Sequence, residues 1–141
     1  MQVQPYLFFN GRCEEAAEFY RRALAAEVTM LMRWKDCPEP QQPGTVPPGG
    51  ENKVMHMRFR IGDTNILASD GQCVGQPSFQ GFALSLTAAN EAEAERFFRA
   101  LSDGGQVRMP LAKTFFSPSF GMVADRFGVS WMVLACISHT G

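Results

Sequence analysis

The chain carries a faint copy of itself. Glu14 to Leu24 lies over Glu91 to Leu101 at a constant offset of 91 − 14 = 77 positions. In that register Glu14, Ala17, Glu18, Arg22, Ala23 and Leu24 match Glu91, Ala94, Glu95, Arg99, Ala100 and Leu101, with Tyr20 over Phe97. Both stretches read as amphipathic helices between strand-like segments. One repeat of this length in 141 residues means two similar halves, not a solenoid of many short units. The fold must therefore be a pair of modules, each with one helix and several strands.

The bulk composition narrows the function by exclusion. Hydrophobic residues at 45% and charged residues at 19% suit a globular chain and are too apolar for disorder. A net charge of −1 gives no electrostatic footprint for nucleic acid or an anionic membrane. No apolar run approaches a membrane span, and Met1 to Pro5 does not resemble the start of a signal peptide, so the expected location is the cytoplasm. Cys13, Cys37, Cys73 and Cys136 are scattered without a Cys-x-x-Cys and are expected as free thiols. Cys13 opens a helix, where the dipole would favour a thiolate; a small residue at a helix start is the plainer reading.

Each half then resolves into one strand, one helix and three strands. Val3 to Phe9 reads as a buried first strand ended by Asn10-Gly11. From Cys13, Ala16, Ala17, Phe19, Tyr20, Ala23 and Leu24 fall at helical spacing, with early acids and later arginines complementing the dipole. Val28 to Trp34 reads as a second strand. Residues 35–52 hold five of the nine prolines and form a long loop. Lys53 to Ile61 alternates cleanly, with Met55, Met57, Phe59 and Ile61 on one side and His56, Arg58 and Arg60 on the other. A turn at Gly62 to Asn65 returns the chain as Ile66 to Asp70.

The second half follows the same order. Gly81 to Thr87 is a strand, and Asn90 with Glu93 predicts a capped helix that Gly104-Gly105 stops after about Ser102. Gln106 to Met109, Thr114 to Ala124 and Val129 to Ala135 complete the set, the middle one interrupted at Ser117-Pro118-Ser119. The expected organisation is α+β: a first βαβββ module at 1–70, a linker at 71–80, a second module at 81–136 and a tail at 137–141.

These residues resemble a known family. Pro5-Tyr6-Leu7-Phe8-Phe9-Asn10-Gly11 with Glu15-Ala16 and Phe19-Tyr20 is similar to the vicinal oxygen chelate superfamily, which includes glyoxalase I, extradiol dioxygenases and bleomycin-resistance proteins. The second-half run Gly104-Gly105, Met109-Pro110-Leu111, Thr114-Phe115-Phe116, Phe120-Gly121, Asp125-Arg126-Phe127-Gly128 and Trp131 resembles its PhnB-like branch, often labelled a 3-demethylubiquinone-9 3-methyltransferase domain. The resemblance implies two modules whose curled mixed sheets form a common cleft, and a homodimer in which a second chain covers the open sheet edges.

It also implies one metal ligand on each of four strands, and here the carry-over fails. The first-strand position falls at Pro5 and the last-strand position at Met132; neither the fourth nor the fifth strand holds His, Glu or Gln. A divalent ion needs three or more N, O or S donors, so no metal and no cofactor are expected. Methyl transfer fares no better, because Asn10-Gly11-Arg12 is a lone glycine in a chain without a βαβαβ pattern.

The candidate ligand-binding residues are Pro5, Leu7, His56, Arg58, Asp70, Phe116 and Met132. In a cleft wall His56 and Arg58 would hold an anionic or carbonyl-bearing molecule, with His56 able to move a proton. On a solvent-facing side they would be ordinary surface groups, and strand alternation does not say which face is concave. Asp70 ends a strand where such folds often meet ligand, and a surface turn is the equal alternative. Phe116 could stack on a planar molecule, and aromatics at strand spacing also build cores. Trp131, out of phase with Met132, should pack beneath a helix. Three function classes follow: a metal-independent binding protein, a metal-dependent lyase, isomerase or dioxygenase using a site that is not inherited, and a structural dimer.

Overall fold

A computed structural model of the protein describes residues 1–36, 49–71 and 78–136. The expected loop centre at 37–48, most of the expected linker and the 137–141 tail lie outside the described residues, as do Cys37 and Cys73. The chain divides into two compact units, Met1–Pro77 and Ser78–Gly141.

The first unit runs β1 (Tyr6–Phe8), α1 (Cys13–Leu24), β2 (Glu27–Arg33), a 3-10 turn (Trp34–Asp36), β3 (Val54–Ile61) and β4 (Thr64–Ser69). Its sheet has the order β1-β4-β3-β2, with β1 parallel to β4 and the other pairs antiparallel. The second unit runs β5 (Leu84–Ala88), α2 (Glu91–Ser102), β6 (Gln106–Ala112), β7 (Phe120–Ala124) and β8 (Ser130–Ala135). Its order, β5-β8-β7-β6, is the same arrangement, again with one parallel pair. The fold is α+β, two βαβββ units with mixed sheets, as the repeat implied.

In the first unit the core lies where the apolar stripe of α1 meets one sheet face. Ala16, Ala17, Phe19, Tyr20 and Leu24 are buried, as are Leu7, Met57, Phe59, Ile66 and Ala68 from the strands. The rings of Tyr20 and Phe59 stack with centroids 5.7 Å apart. In the second unit Ala94, Phe98 and Leu101 are buried, with Val123, Trp131 and Val133 buried in the sheet. Trp131 is thus core, and its indole N–H donates to buried Asp125 at 2.9 Å.

Several element bounds differ from the sequence reading, each for a local reason. β1 begins only at Tyr6, because Pro5 has no N–H to donate and Val3 is exposed. The strand is also not buried throughout: Leu7 and Phe9 are, while Tyr6 and Phe8 are exposed. β7 begins at Phe120 rather than Thr114. The intervening residues form a turn in which the Thr114 hydroxyl accepts from the Phe116 and Ser117 amides and the single Ser117 hydroxyl proton has the Ser119 and Ala135 carbonyls as its acceptors, each oxygen 2.8 Å away. β6 runs on through Pro110 to Ala112, which is tolerable because β6 is an edge strand.

Candidate functional site

Each sheet has one face toward its helix and one face the helix does not cover. In the first unit strand alternation assigns Leu7, Met57, Phe59, Ile66 and Ala68 to the helix side. The residues between them, Tyr6, Phe8, His56, Arg58, Leu67 and Ser69, then share the other side. The register arranges them in two cross-strand rows. Tyr6 is opposite Leu67, Leu67 opposite Arg58, and Arg58 opposite Met30. One step along, Phe8 is opposite Ser69, and His56 is opposite Met32.

The side chains on this face are joined. Tyr6 Oη and His56 Nδ1 lie 3.0 Å apart, a hydrogen bond whose direction the histidine tautomer sets. The Tyr6 ring is 4.9 Å from Phe8 and 5.6 Å from the His56 ring. Arg58 Nε donates to the Thr29 hydroxyl at 3.1 Å, and that hydroxyl donates to the Arg58 carbonyl at 3.2 Å. The guanidinium is therefore tethered through Nε. Its neighbour Arg60 pairs with Glu27, whereas Arg58 makes no ion pair among the described residues.

The expected site residues part company here. His56 and Arg58 stand together on the uncovered face. Leu7 is 1% exposed and belongs to the core on the opposite side. Asp70 is also 1% exposed, and both carboxylate oxygens are engaged: Oδ1 accepts from the Cys13 amide and Oδ2 from the Val54 amide, each at 2.7 Å. It caps α1 from the end of β4, since the Arg12 side chain supplies no cap. Pro5 precedes β1, its carbonyl accepting from the Leu67 amide at 3.0 Å. Tyr6 and Thr29, which are not among the residues expected from the sequence, hold His56 and Arg58 on this face. Period-two alternation from buried Leu7 would have turned Tyr6 outward, had the first strand not been read as buried on both faces.

In the second unit Met132 is half-buried on the face away from α2, opposite Met122 and Ser85; Met109 is in turn opposite Met122. This row of thioethers is apolar and deformable. Phe116 is 41% exposed in the turn before β7, its ring 5.1 Å from Phe115 and from Phe120. A concavity of about 490 Å³ lies at the start of α2, lined among others by Asn90, Lys113, Phe115 and Cys136. The hydroxyls at its edge, Thr114 and Ser117, are engaged in the turn.

The chelate that the resemblance implies does not fit the residues at its positions. Pro5 offers no side-chain donor and Met132 only a thioether, and among the described residues no three His, Cys, Asp or Glu side chains gather. Cys13 is no thiolate either. Burial pushes its thiol well above the usual range, and the nearby carboxylates of Asp70 and Glu14 add to the shift.

Comparison with known proteins places this geometry in a family. The family model described as 3-demethylubiquinone-9 3-methyltransferase matches residues 1–134. Protein YjdN of Escherichia coli K12 is 33% identical over 138 residues, covering 94% of each chain. The crystal structure of protein PA1353 from Pseudomonas aeruginosa is 40% identical with a TM-score of 0.81, over 96% of this chain and 97% of that one. A putative 3-demethylubiquinone-9 3-methyltransferase, PhnB protein, from Bacillus cereus is 27% identical with a TM-score of 0.77, over 96% and 100%. A glyoxalase-related enzyme from Fulvimarina pelagi, 18% identical over 96% and 88% with a TM-score of 0.62, shares the fold alone.

Proposed function

The chain belongs to the 3-demethylubiquinone-9 3-methyltransferase family, PhnB-like proteins of glyoxalase-like fold, and on that premise we propose that it binds a small, partly anionic organic molecule without help from a metal. Each of the two modules, 1–70 and 81–136, would offer a sheet face that its own helix does not cover. The observation that carries the reading is the cation on the first of those faces. Arg58 is tethered at Nε, lacks a carboxylate partner among the described residues, and stands beside the Tyr6–His56 pair. A guanidinium held in this way can grip a carboxylate, phosphate or phosphonate bidentately through its two Nη groups.

The family's descriptive title need not be this chain's reaction. Methyl transfer from S-adenosylmethionine on the common fold needs a doubly wound parallel sheet and a glycine-rich turn after its first strand. Two mixed four-stranded sheets do not supply that frame. The competing reading, a metal-dependent lyase, isomerase or dioxygenase, would need His56, Asp70 and a further donor. Asp70 speaks against it, because both its oxygens already accept backbone amides.

Thermal shift with a panel of carboxylates and phosphonates tests binding, since only a ligand preferring the folded state raises Tm. Arg58→Ala should weaken such a ligand by about 1.5–3 kcal/mol, the scale of a charged hydrogen bond. Unchanged affinity in that variant would remove the anion reading. Stoichiometric zinc, nickel, iron or manganese surviving dialysis would remove the metal-free one. A cytoplasmic homodimer completes the proposal, and light scattering at 15.6 kDa for the micromolar protein would refute the dimer.

A further inference from the structure

We propose that the helix-free face of the first sheet is a site for an aromatic carboxylate, with the carboxylate on Arg58 and the ring stacked on Tyr6 beside Phe8. This rests on the anion-binding reading and adds the chemistry of the rest of the ligand. The argument begins with the row Tyr6–Leu67–Arg58. Its ends sit on β1 and β3 with β4 between them, so their backbones are two strand spacings apart, roughly 9–10 Å. The tyrosine side chain crosses that span to reach His56 on β3, so what it offers a ligand held at Arg58 is the outer face of its ring. The floor between the ends is apolar, because Leu67 is the residue that β4 contributes to the row and it is half-buried.

The two ends differ in chemistry, and that difference selects the ligand. At one end Arg58 Nε is held by Thr29 at 3.1 Å, leaving the Nη pair to meet two oxygens end-on. At the other, Tyr6 is 37% and Phe8 54% exposed, in mutual contact at 4.9 Å. Exposed aromatic rings placed side by side offer an edge and a face to a planar ring, and little to a compact anion. His56, hydrogen-bonded to Tyr6, holds the tyrosine ring in place from the β3 side. A free phosphate or acetate would use Arg58 alone, whereas an aryl carboxylate uses both ends.

The test is titration of the full chain with benzoate, cyclohexanecarboxylate, acetate, inorganic phosphate and benzyl alcohol, followed by NMR of the tyrosine and phenylalanine ring protons. Benzoate should bind at least about tenfold more tightly than acetate and shift the Tyr6 and Phe8 rings. Arg58→Gln should lose about tenfold for benzoate and nothing for benzyl alcohol, and Tyr6→Ala should lose severalfold for benzoate and little for acetate. An unchanged far-UV spectrum establishes that each variant is folded. If acetate or phosphate matches benzoate while remaining dependent on Arg58, the aromatic class is overturned and the anion reading stands. If cyclohexanecarboxylate matches benzoate, the site takes apolar acids without regard to planarity, and the proposal again falls. If none of the anions binds more tightly than benzyl alcohol, or Arg58→Gln changes nothing, both readings fall together.

Discussion

The most exacting test of the fold's logic is Asp70, because sequence position suggested a ligand contact and the structure gives it a backbone role. Its carboxylate joins two elements that are distant in sequence, the first turn of α1 and the start of β3, through amide contacts of 2.7 Å at Cys13 and Val54. Asp70→Asn keeps one acceptor oxygen and turns an NH2 group toward the other amide. One charge-assisted hydrogen bond is lost and a buried N–H is left facing a donor, partly offset because no carboxylate need then be buried; the net loss is about 2 kcal/mol. Asp70→Ala orphans both amides, and the loss rises to about 4 kcal/mol. With a urea m-value of about 2 kcal/mol/M, the midpoint should fall by about 1 M and 2 M for the two variants, at unchanged m. Hydrogen exchange should speed selectively at the Cys13 and Val54 amides. An Asp70→Asn protein within about 0.5 kcal/mol of the parent would refute the reasoning, since two short contacts to a buried carboxylate would then carry almost no energy. A ligand-facing Asp70 would give the opposite pattern, with stability preserved and binding lost.

Three further outcomes follow from local geometry. Gly105→Ala would place a Cβ 2.2 Å from the Ala124 carbonyl oxygen, a backbone clash that should destabilise the second unit by about 3 kcal/mol and visibly lower Tm; an unchanged melting curve would contradict that close approach. Ala25 ends α1 in the left-handed region at φ 57°, so Ala25→Gly should raise stability by about 0.5–1 kcal/mol in chemical denaturation, and a loss there would mean the cap is not left-handed. A hydrogen bond from Arg33 holds the Glu14 carboxyl below its ordinary value of 4.5, so the pairing stabilises the fold above about pH 4.5 and is lost as pH falls through the depressed folded value. Glu14→Gln should therefore flatten the acid side of the stability curve slightly and at low salt most clearly, because the Glu14 side chain is 61% exposed.

What the sequence disclosed and what it concealed divide along a physical line. Periodicity is a local property, and the helices it marked, Cys13–Leu24 and Glu91–Ser102, stand where their apolar stripes put them. The cap of α2 was legible because Asn90 accepts the Glu93 amide three residues on, while the Glu93 side chain reaches back to the Ala89 amide. The cap of α1 was not, because its acceptor is Asp70, fifty-seven positions away. Sequence alone gives no reason to prefer a carboxylate that distant over the adjacent Arg12. The same limit governed the candidate site. Alternation could group His56 with Arg58, but which face is uncovered depends on where α1 packs, and α1 settles on the side of Met57 and Phe59. Once that side is fixed, period-two geometry turns Leu7 inward and Tyr6 outward in one step. The first strand therefore turns Tyr6 and Phe8, the aromatic residues on either side of core Leu7, to the face that carries His56 and Arg58, whereas Pro5, the position the resemblance selected for a metal ligand, lies before the strand and offers no side-chain donor.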